Sequence, residues 1–240
     1  IDKTQSIFVR LHEFFFSKIM IINKFEEYDF KNSGVEGIKI TINFSLENHL
    51  NIVLHEETQD KYEQVKDIET VKTFPPLLFS VNLDLDSIKS LETPKDIRSL
   101  TLLDGHHRFE HLVLYNYDYP VPVVLVSEQD VEVKSYNSIM NLEKEKFIEF
   151  LLENNFNPSS SSQYFISIQG SQYSCEDINN IYDLYNFKRK LINLDLISPS
   201  RNDETNLDSE VVDFTEIKLS EFYLQNYLFP PKSTWIHPRI

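Results

Sequence analysis

The sequence predicts an α/β protein whose core is a mixed sheet, with an additional helical segment after it. A strand, a helix and a strand follow one another within residues 100–126, which favours a right-handed crossover and at least partly parallel strands. Apolar and polar residues alternate at 38–44, a pattern typical of a half-buried strand. We therefore expect a core domain with an amino-terminal extension at residues 1–128, followed by a mostly helical segment at 129–240.

Composition limits the class of protein. The chain has 240 residues, 41% hydrophobic and 13% aromatic, which is enough for a substantial core. Its 23 basic and 38 acidic side chains give a formal charge of −15, which repels a phosphate backbone, so we expect no nucleic-acid partner. No apolar run is long enough to span a bilayer, so we expect no membrane partner. A single cysteine, Cys175, is compatible with a reducing compartment, and we expect a cytoplasmic protein.

The elements of the predicted core are justified by their patterns. Apolar stretches at 7–16 and 18–25 lack a clean period and fit either strands or a strand and a helix. Double proline at Pro75-Pro76 separates a polar helical pattern from a short apolar strand. In order, the elements predicted after residue 44 are a helix at 58–72, a strand at 77–81, a helix or turn at 84–89, a strand at 100–103, a helix at 105–116 and a strand at 121–126.

The carboxyl-terminal half shows two amphipathic helical patterns, at 142–154 and 178–191, with a strand pattern at 164–168 between them. The chain ends with Pro230-Pro231, which fixes the backbone ahead of Lys232, Ser233 and Thr234. This arrangement would aim a cation and two hydroxyls at a common point. A terminal strand with an incidental lysine is an equal alternative.

The most informative stretch is Asp-Gly-His-His-Arg at residues 104–108, which we call the Asp104 turn. An apolar run stops at its acidic residue and a helical pattern begins at once, which predicts a strand, a tight turn and a helix amino terminus. Such a turn presents an N-cap carboxylate, backbone N–H groups, two imidazoles and a guanidinium at one point, a combination that suits phosphate. The plainer alternative is that Asp104 only caps the helix and the cations form a solvated surface.

A second candidate motif is His55-Glu56-Glu57-Thr58, which we call the His55 segment. It follows a short apolar run and precedes the polar helical pattern, so Glu56 could act as a general base. Acidic residues in a first helical turn are also ordinary, because they favour the helix dipole. His12-Glu13 is a competing copy of the motif, ranked second because three phenylalanines follow it instead of a polar helix.

Together these motifs resemble a known family. The His55 segment, Pro75-Pro76, the Asp104 turn and a terminal Lys-Ser-Thr-Trp resemble a prokaryotic family with an Asp-Gly-His-His-Arg motif, related to free serine kinases of the ParB N-terminal and sulfiredoxin-like fold. The resemblance covers residues 38–126 and 229–240. Sulfiredoxins carry a cysteine in the turn where this chain has His106, so the resemblance does not extend to repair of sulfinic acids.

The resemblance implies a role for each motif in phosphoryl transfer, which needs a phosphate cradle, a metal or cations, and a group to position the attacking hydroxyl. Asp104 would be catalytic, holding Mg²⁺ or orienting a histidine, and Glu56 would be the catalytic base. Glu57 replaces Glu56 if the motif register is shifted by one residue. The nucleotide phosphates would be bound by Gly105, His106, His107 and Arg108. The substrate would be bound by Glu57, Thr58, Lys232, Ser233 and Thr234. Lys232, with Ser233 and Thr234, could bind a nucleotide phosphate instead of the substrate carboxylate.

The expected function is therefore that of a small-molecule kinase. It would transfer a phosphoryl group from ATP or ADP, with Mg²⁺, to the hydroxyl of a free amino acid, with L-serine as the leading acceptor. The alternative is a non-catalytic nucleotide-binding switch that uses the same turn to control a protein partner. A nucleic-acid binder is a weaker third class, because it needs a basic face that the sequence does not show as a cluster.

Overall fold

The computed structural model describes residues 15–21, 26–31, 33–58, 75–90, 99–114, 120–159, 161–200, 210–223 and 228–240. The predicted helix at 58–72 therefore lies outside the described residues except for its first residue, as does the competing His12-Glu13 pair. The described residues form two compact units. The first takes its residues from Ile1–Glu132, Phe222–Asn226 and Ile236–Ile240, and the second from Val133–Glu221 and Tyr227–Trp235.

The first unit is built on a six-stranded mixed sheet with strand order β1-β3-β5-β4-β6, in which β2 also pairs with β3. Its strands are β1 (Phe15–Ile21), β2 (Glu26–Asp29), β3 (Glu36–Leu54), β4 (Leu77–Val81), β5 (Ser99–Asp104) and β6 (Pro120–Ser127). Its helices are α1 (Leu85–Lys89) and α2 (His106–Leu114), followed by a 3-10 turn at Glu128–Asp130. The predicted mixed sheet is confirmed. The predicted crossover between parallel strands is wrong, because β5 and β6, on either side of α2, run in opposite directions: β4 is antiparallel to β5 and parallel to β6.

The long strand β3 closes this sheet on itself. Its first part pairs antiparallel with β6, from Ile38 opposite Leu125 onward, and its last residues pair parallel with β5. Since β4 pairs with both β5 and β6, the four strands β3, β5, β4 and β6 form a ring. The ring encloses alternate side chains of each strand together with Phe109 and Leu112 of α2. This core fixes the start of α2 against the sheet.

Strand β3 is longer than the sequence predicts. The alternating pattern stops near residue 44, but the strand continues to Leu54. Its second half runs alongside β1, which pairs antiparallel with it from Phe15 opposite Asn51 to Ile21 opposite Ile42. Backbone pairing with a neighbouring strand thus extends β3 through the polar residues 47–49, where hydropathy gives no signal.

The second unit corrects the prediction of a mostly helical segment at 129–240. It contains two helices, α3 (Lys144–Glu153) and α4 (Ile181–Asn193), but also a six-stranded sheet of order β12-β8-β13-β10-β11-β9. These strands are β8 (Asn137–Met140), β9 (Asn157–Pro158), β10 (Ile166–Ile168), β11 (Ser171–Ser174), β12 (Ile197–Ser200) and β13 (Val211–Phe214). Strands of two to four residues are too short to show an alternating pattern, so the longer helices dominate the sequence signal.

A separate two-stranded sheet joins β7 (Glu132–Ser135) to β14 (Thr234–His237), and a 3-10 turn spans Leu219–Tyr223. None of the helices in the described ranges combines the length and apolar character that a bilayer crossing requires.

Candidate active site

The His55 segment and the Asp104 turn lie at the same edge of the first sheet. Leu54, the last residue of β3, pairs in a parallel ladder with Leu102 of β5. The chain therefore leaves both strands in the same direction, with His55 just beyond one and Gly105 just beyond the other. The side chains and backbone groups that follow two neighbouring parallel strands converge at the edge where both strands end, as they do at the carboxyl ends of parallel strands in general.

Gly105 turns the chain from β5 into α2. Its φ angle is +94°, which favours glycine, and a Cβ at this position would lie 2.7 Å from Cδ2 of Leu77. The Phe109 N–H donates to the Gly105 carbonyl at 2.8 Å, so Gly105 is the cap residue and the helix begins at His106. Backbone N–H groups at the start of α2 are thus placed directly after the strand, the geometry that binds anions.

Asp104 is not the N-cap residue that the sequence predicts. Strand β5 continues through Asp104, and its Oδ1 accepts from the adjacent Gly105 N–H at 2.8 Å. Its Oδ2 lies 4.0 Å from Nη2 of Arg108. The cap is Gly105, one residue later than predicted, because Asp104 still belongs to β5 and pairs with Leu78 of β4. The carboxylate stabilises the turn and keeps its second oxygen on the side of the guanidinium.

Arg108 is held from two directions. Its Nη1 donates to the carbonyl of Pro76, which directly precedes β4, and its Nη2 faces Asp104. The side chain is only 19% exposed, and burial lowers the pKa of the guanidinium while Asp104 opposes that shift. An arginine remains charged despite such a shift, so Arg108 places a fixed positive charge at the start of α2.

His55, which precedes the predicted base Glu56, is a buried residue whose burial the sequence does not indicate. It is 2% exposed, and its Nδ1 lies 2.9 Å from the carbonyl oxygen of Leu102. Because a carbonyl only accepts hydrogen bonds, Nδ1 carries the proton. The ring stacks on Phe222, with centroids 4.2 Å apart and 18° between the planes. It also contacts the edge of His106, with centroids 4.7 Å apart.

Both imidazoles of this pair are neutral at physiological pH. Burial lowers the pKa of His55 well below its usual value, and the neighbouring His106 lowers it further. Burial lowers the pKa of His106 to about 4, although the Asp104 carboxylate acts in the opposite direction. Within the described part of the chain, Nε2 of His106 is a buried atom without a hydrogen-bond partner. His106 therefore contributes no positive charge to the turn.

Thr58 connects the other end of the His55 segment to helix α2. Its Oγ1 donates to Oε2 of Glu110 at 2.5 Å. Glu56 and Glu57 lie between these contacts, and both are partly buried. The structure thus brings the predicted base and the predicted phosphate turn into one region of the first unit.

Lys232, Ser233 and Thr234 belong to the second unit, and their predicted approach to the Asp104 turn stays a prediction. Lys232 is exposed and has a φ angle of +62°. The N–H and Oγ of Ser233 both donate to the carbonyl of Pro230, at 3.2 and 2.6 Å. Lys232 thereby occupies the third position of a four-residue turn, where a positive φ normally selects glycine.

The described residues contain no group of three or more His, Cys, Asp or Glu side chains arranged to hold a metal ion. Asp104 contributes one carboxylate to the turn. Because its Oδ1 accepts from the Gly105 N–H, Oδ2 is the oxygen better placed to bind a cation. A single carboxylate fits Mg²⁺ when substrate phosphates and water supply the other ligands.

Comparison with known proteins identifies relatives by structure. No protein-family model and no curated protein sequence matches the chain. A free serine kinase in complex with AMP matches with a TM-score of 0.53 and 13% identity, covering 77% of this chain and 83% of that one. SbnI with a C-terminal truncation from Staphylococcus aureus matches with a TM-score of 0.57 and 14% identity, covering 79% and 81%. The chain is therefore structurally related to these proteins and has the mixed α+β fold of this group, as the resemblance implies.

Proposed function

We propose that this protein is a kinase that transfers a phosphoryl group from ATP or ADP to the hydroxyl of a free amino acid, with L-serine as the leading acceptor. The observation that carries the proposal is the parallel pairing of Leu54 with Leu102, after which the His55 segment and the Asp104 turn leave the sheet at the same edge. The structural relationship with a free serine kinase bound to AMP, and with a variant of it bound to ADP, supports the same conclusion.

The Asp104 turn would bind the nucleotide phosphates. Gly105 supplies the positive φ of the turn and leaves room for the side chains of Leu77 and Arg108, the start of α2 supplies N–H groups, and Arg108 supplies the positive charge. His106 and His107 would add hydrogen bonds. Because burial keeps His106 neutral, we assign the charge neutralisation at this turn to Arg108 and to a bound cation.

Asp104 would hold Mg²⁺ through its Oδ2 atom, and phosphate oxygens and water would supply the other ligands. The cation would spread the charge that develops on the transferred phosphoryl group. Asp104 would also hold the turn in place through its bond to the Gly105 N–H.

Glu56 would accept the proton of the substrate hydroxyl, and Glu57 is the second candidate for that role or for substrate binding. Thr58 donates its hydroxyl hydrogen to Glu110, so any contact of that oxygen with substrate would be made as an acceptor. We assign Lys232, Ser233 and Thr234 to binding of the substrate carboxylate or a nucleotide phosphate. Lys232 is an exposed residue, and a lysine ammonium is suited to that task.

The alternative is a nucleotide-binding switch without catalysis, which needs the Asp104 turn but no base. Turnover separates the two functions. The purified protein is incubated with ATP or ADP, with and without Mg²⁺, and with a panel of amino and hydroxy acids, and products are followed by phosphorus NMR. A phosphomonoester that forms only with a hydroxyl acceptor supports the kinase. Nucleotide binding without any such product supports the switch and contradicts the kinase.

A further inference from the structure

We propose that His55 and Thr58 are positioning residues that fix the backbone from which the Glu56 side chain extends, at the edge of the sheet where the Asp104 turn lies. This inference rests on the proposed kinase function, because it concerns the geometry of the proposed base. The two side chains bind to opposite sides of the turn: His55 to the strand that enters it and Thr58 to the helix that leaves it.

The contact of His55 fixes the first residue of the segment. Its Nδ1–H bonds to the Leu102 carbonyl, two residues before Asp104 on the same strand. Phe222 stacks on its ring and the edge of His106 contacts it, so the imidazole is held in both position and tilt. A buried ring with a hydrogen bond and two aromatic neighbours has few alternative rotamers.

The contact of Thr58 fixes the last residue. Its hydroxyl donates to Glu110, which lies on the first turns of α2, the same helix whose start forms the phosphate-binding end of the turn. Hydrogen bonds to a charged acceptor are stronger than neutral ones, and this one is short, at 2.5 Å. Thr58 is therefore placed relative to the helix itself.

Glu56 lies between these two fastened residues. Consecutive Cα atoms are about 3.8 Å apart, so the Glu56 Cα is within about 8 Å of the Cα atoms of both anchors. With both ends of a four-residue segment attached to β5 and α2, the backbone at Glu56 is restrained, and only the torsions of its own side chain remain to place the carboxylate. Misplacement of a reacting group by about 1 Å can cost roughly 100-fold in rate.

The test compares Thr58→Val with Thr58→Ser, which keeps the hydroxyl. We expect Thr58→Val to lower kcat by about 10- to 100-fold and to change nucleotide affinity by less than about 2-fold, because the phosphate turn is intact. Thr58→Ser should recover most of the rate. Ser90→Ala is the matched control, since Ser90 also donates its hydroxyl, to the Ser87 carbonyl at 2.8 Å, on the exposed surface.

A second pair of variants identifies the partner. Glu110→Ala should reproduce the loss of kcat, and the double variant with Thr58→Val should be no slower than either single variant, because both remove one interaction. The proposal would be overturned if the losses of the two single variants multiplied in the double variant. A normal kcat in Thr58→Val would overturn it as well. For the other anchor, His55→Asn keeps a donor for Leu102 but lacks the ring, and His55→Phe keeps the ring but lacks the donor. We expect both to lower kcat, and normal rates in both contradict the role of His55.

Failure of the proposed function is recognised separately. Absence of turnover in the unaltered protein rejects the kinase. In that case the anchoring is judged by amide hydrogen exchange of peptides covering residues 53–58. Thr58→Val should speed exchange in those peptides and leave peptides covering 120–127 unchanged, while Ser90→Ala changes neither. Unchanged exchange in 53–58 rejects the anchoring itself.

Discussion

The ring of His55 contacts the ring of His106 edge to face, with centroids 4.7 Å apart and 75° between the planes. One histidine follows β3 and the other follows β5, so the contact lies where the two proposed functional segments meet. Two buried imidazoles at this distance cannot both be protonated without strong repulsion and loss of hydration. The neutral forms of both histidines are therefore favoured at this site.

The first prediction is that the protein loses stability as the pH falls from about 6.5 towards 4. The pKa of His106 is about 4 in the folded protein and near 6.5 in the unfolded chain, so the unfolded chain binds more protons in that interval. The free energy of unfolding therefore rises with pH there and falls on acidification. We expect His106 alone to account for roughly 1–2 kcal/mol between pH 7 and pH 5.

Urea unfolding at several pH values tests this prediction. His106→Gln has no titrating side chain at that position, so its free energy of unfolding should change less between pH 7 and pH 5 than that of the unaltered protein. Equal slopes in the two proteins would show that His106 is not kept neutral by the fold.

The second prediction concerns Arg108. Arg108→Ala removes the positive charge at the start of α2, and nucleotide affinity should fall by about 1.5–3 kcal/mol, the range for hydrogen bonds to charged groups. Calorimetric titration with ATP and ADP measures the effect. Arg108→Lys is the control, because it keeps a charge but not the planar pair of donors that reaches both Pro76 and Asp104. Unchanged affinity in the alanine variant contradicts phosphate binding at the turn.

The third prediction is that Glu56→Gln lowers kcat by about 10²- to 10⁴-fold while nucleotide binding stays nearly intact. Glutamine preserves volume but cannot take the proton of the acceptor hydroxyl. Steady-state kinetics with the acceptor found by NMR gives kcat, and calorimetry gives the nucleotide affinity. Glu13→Gln should have little effect. A loss confined to Glu57→Gln would assign the base to the next residue.

Local patterns in the sequence were sufficient for the Asp104 turn and for β4, because a strand, a glycine and a helix start are all encoded within a few residues. The order of these elements predicts a mixed sheet but also parallel strands on either side of α2, and there it is wrong: β5 and β6 run in opposite directions, since β4 lies between them and is antiparallel to β5 but parallel to β6. The contact of Phe222 with His55 could not be predicted, since nothing in the sequence near Phe222 indicates that it packs on a residue so far away in the chain. The N-cap was misplaced by one residue for a related reason: pairing of Asp104 with Leu78 decides where β5 ends.

For His55, too, the sequence shows the position of the residue but not its contacts. Its position before Glu56 is visible in the sequence, but an isolated histidine carries no signal of burial. Only the parallel register of β3 and β5 places its Nδ1 against Leu102. Likewise, most short strands of the second unit pair with strands that are distant in sequence, which periodicity does not report; the exception is the hairpin of β10 and β11.

The last prediction separates stability from function at Lys232. Its φ of +62° places a side chain where glycine is favoured, at a cost of roughly 1 kcal/mol. Non-glycine residues held in this region of φ concentrate at functional sites. Lys232→Gly should therefore raise the free energy of unfolding by about 0.5–1 kcal/mol and also raise the KM for acceptor or nucleotide, because the ammonium is lost.

Lys232→Ala is the control: it removes the ammonium without relieving the strain of the backbone, so KM should rise with no gain in stability. Normal KM values in both variants would show that Lys232 only completes a turn, and the proposed binding role would have to be abandoned.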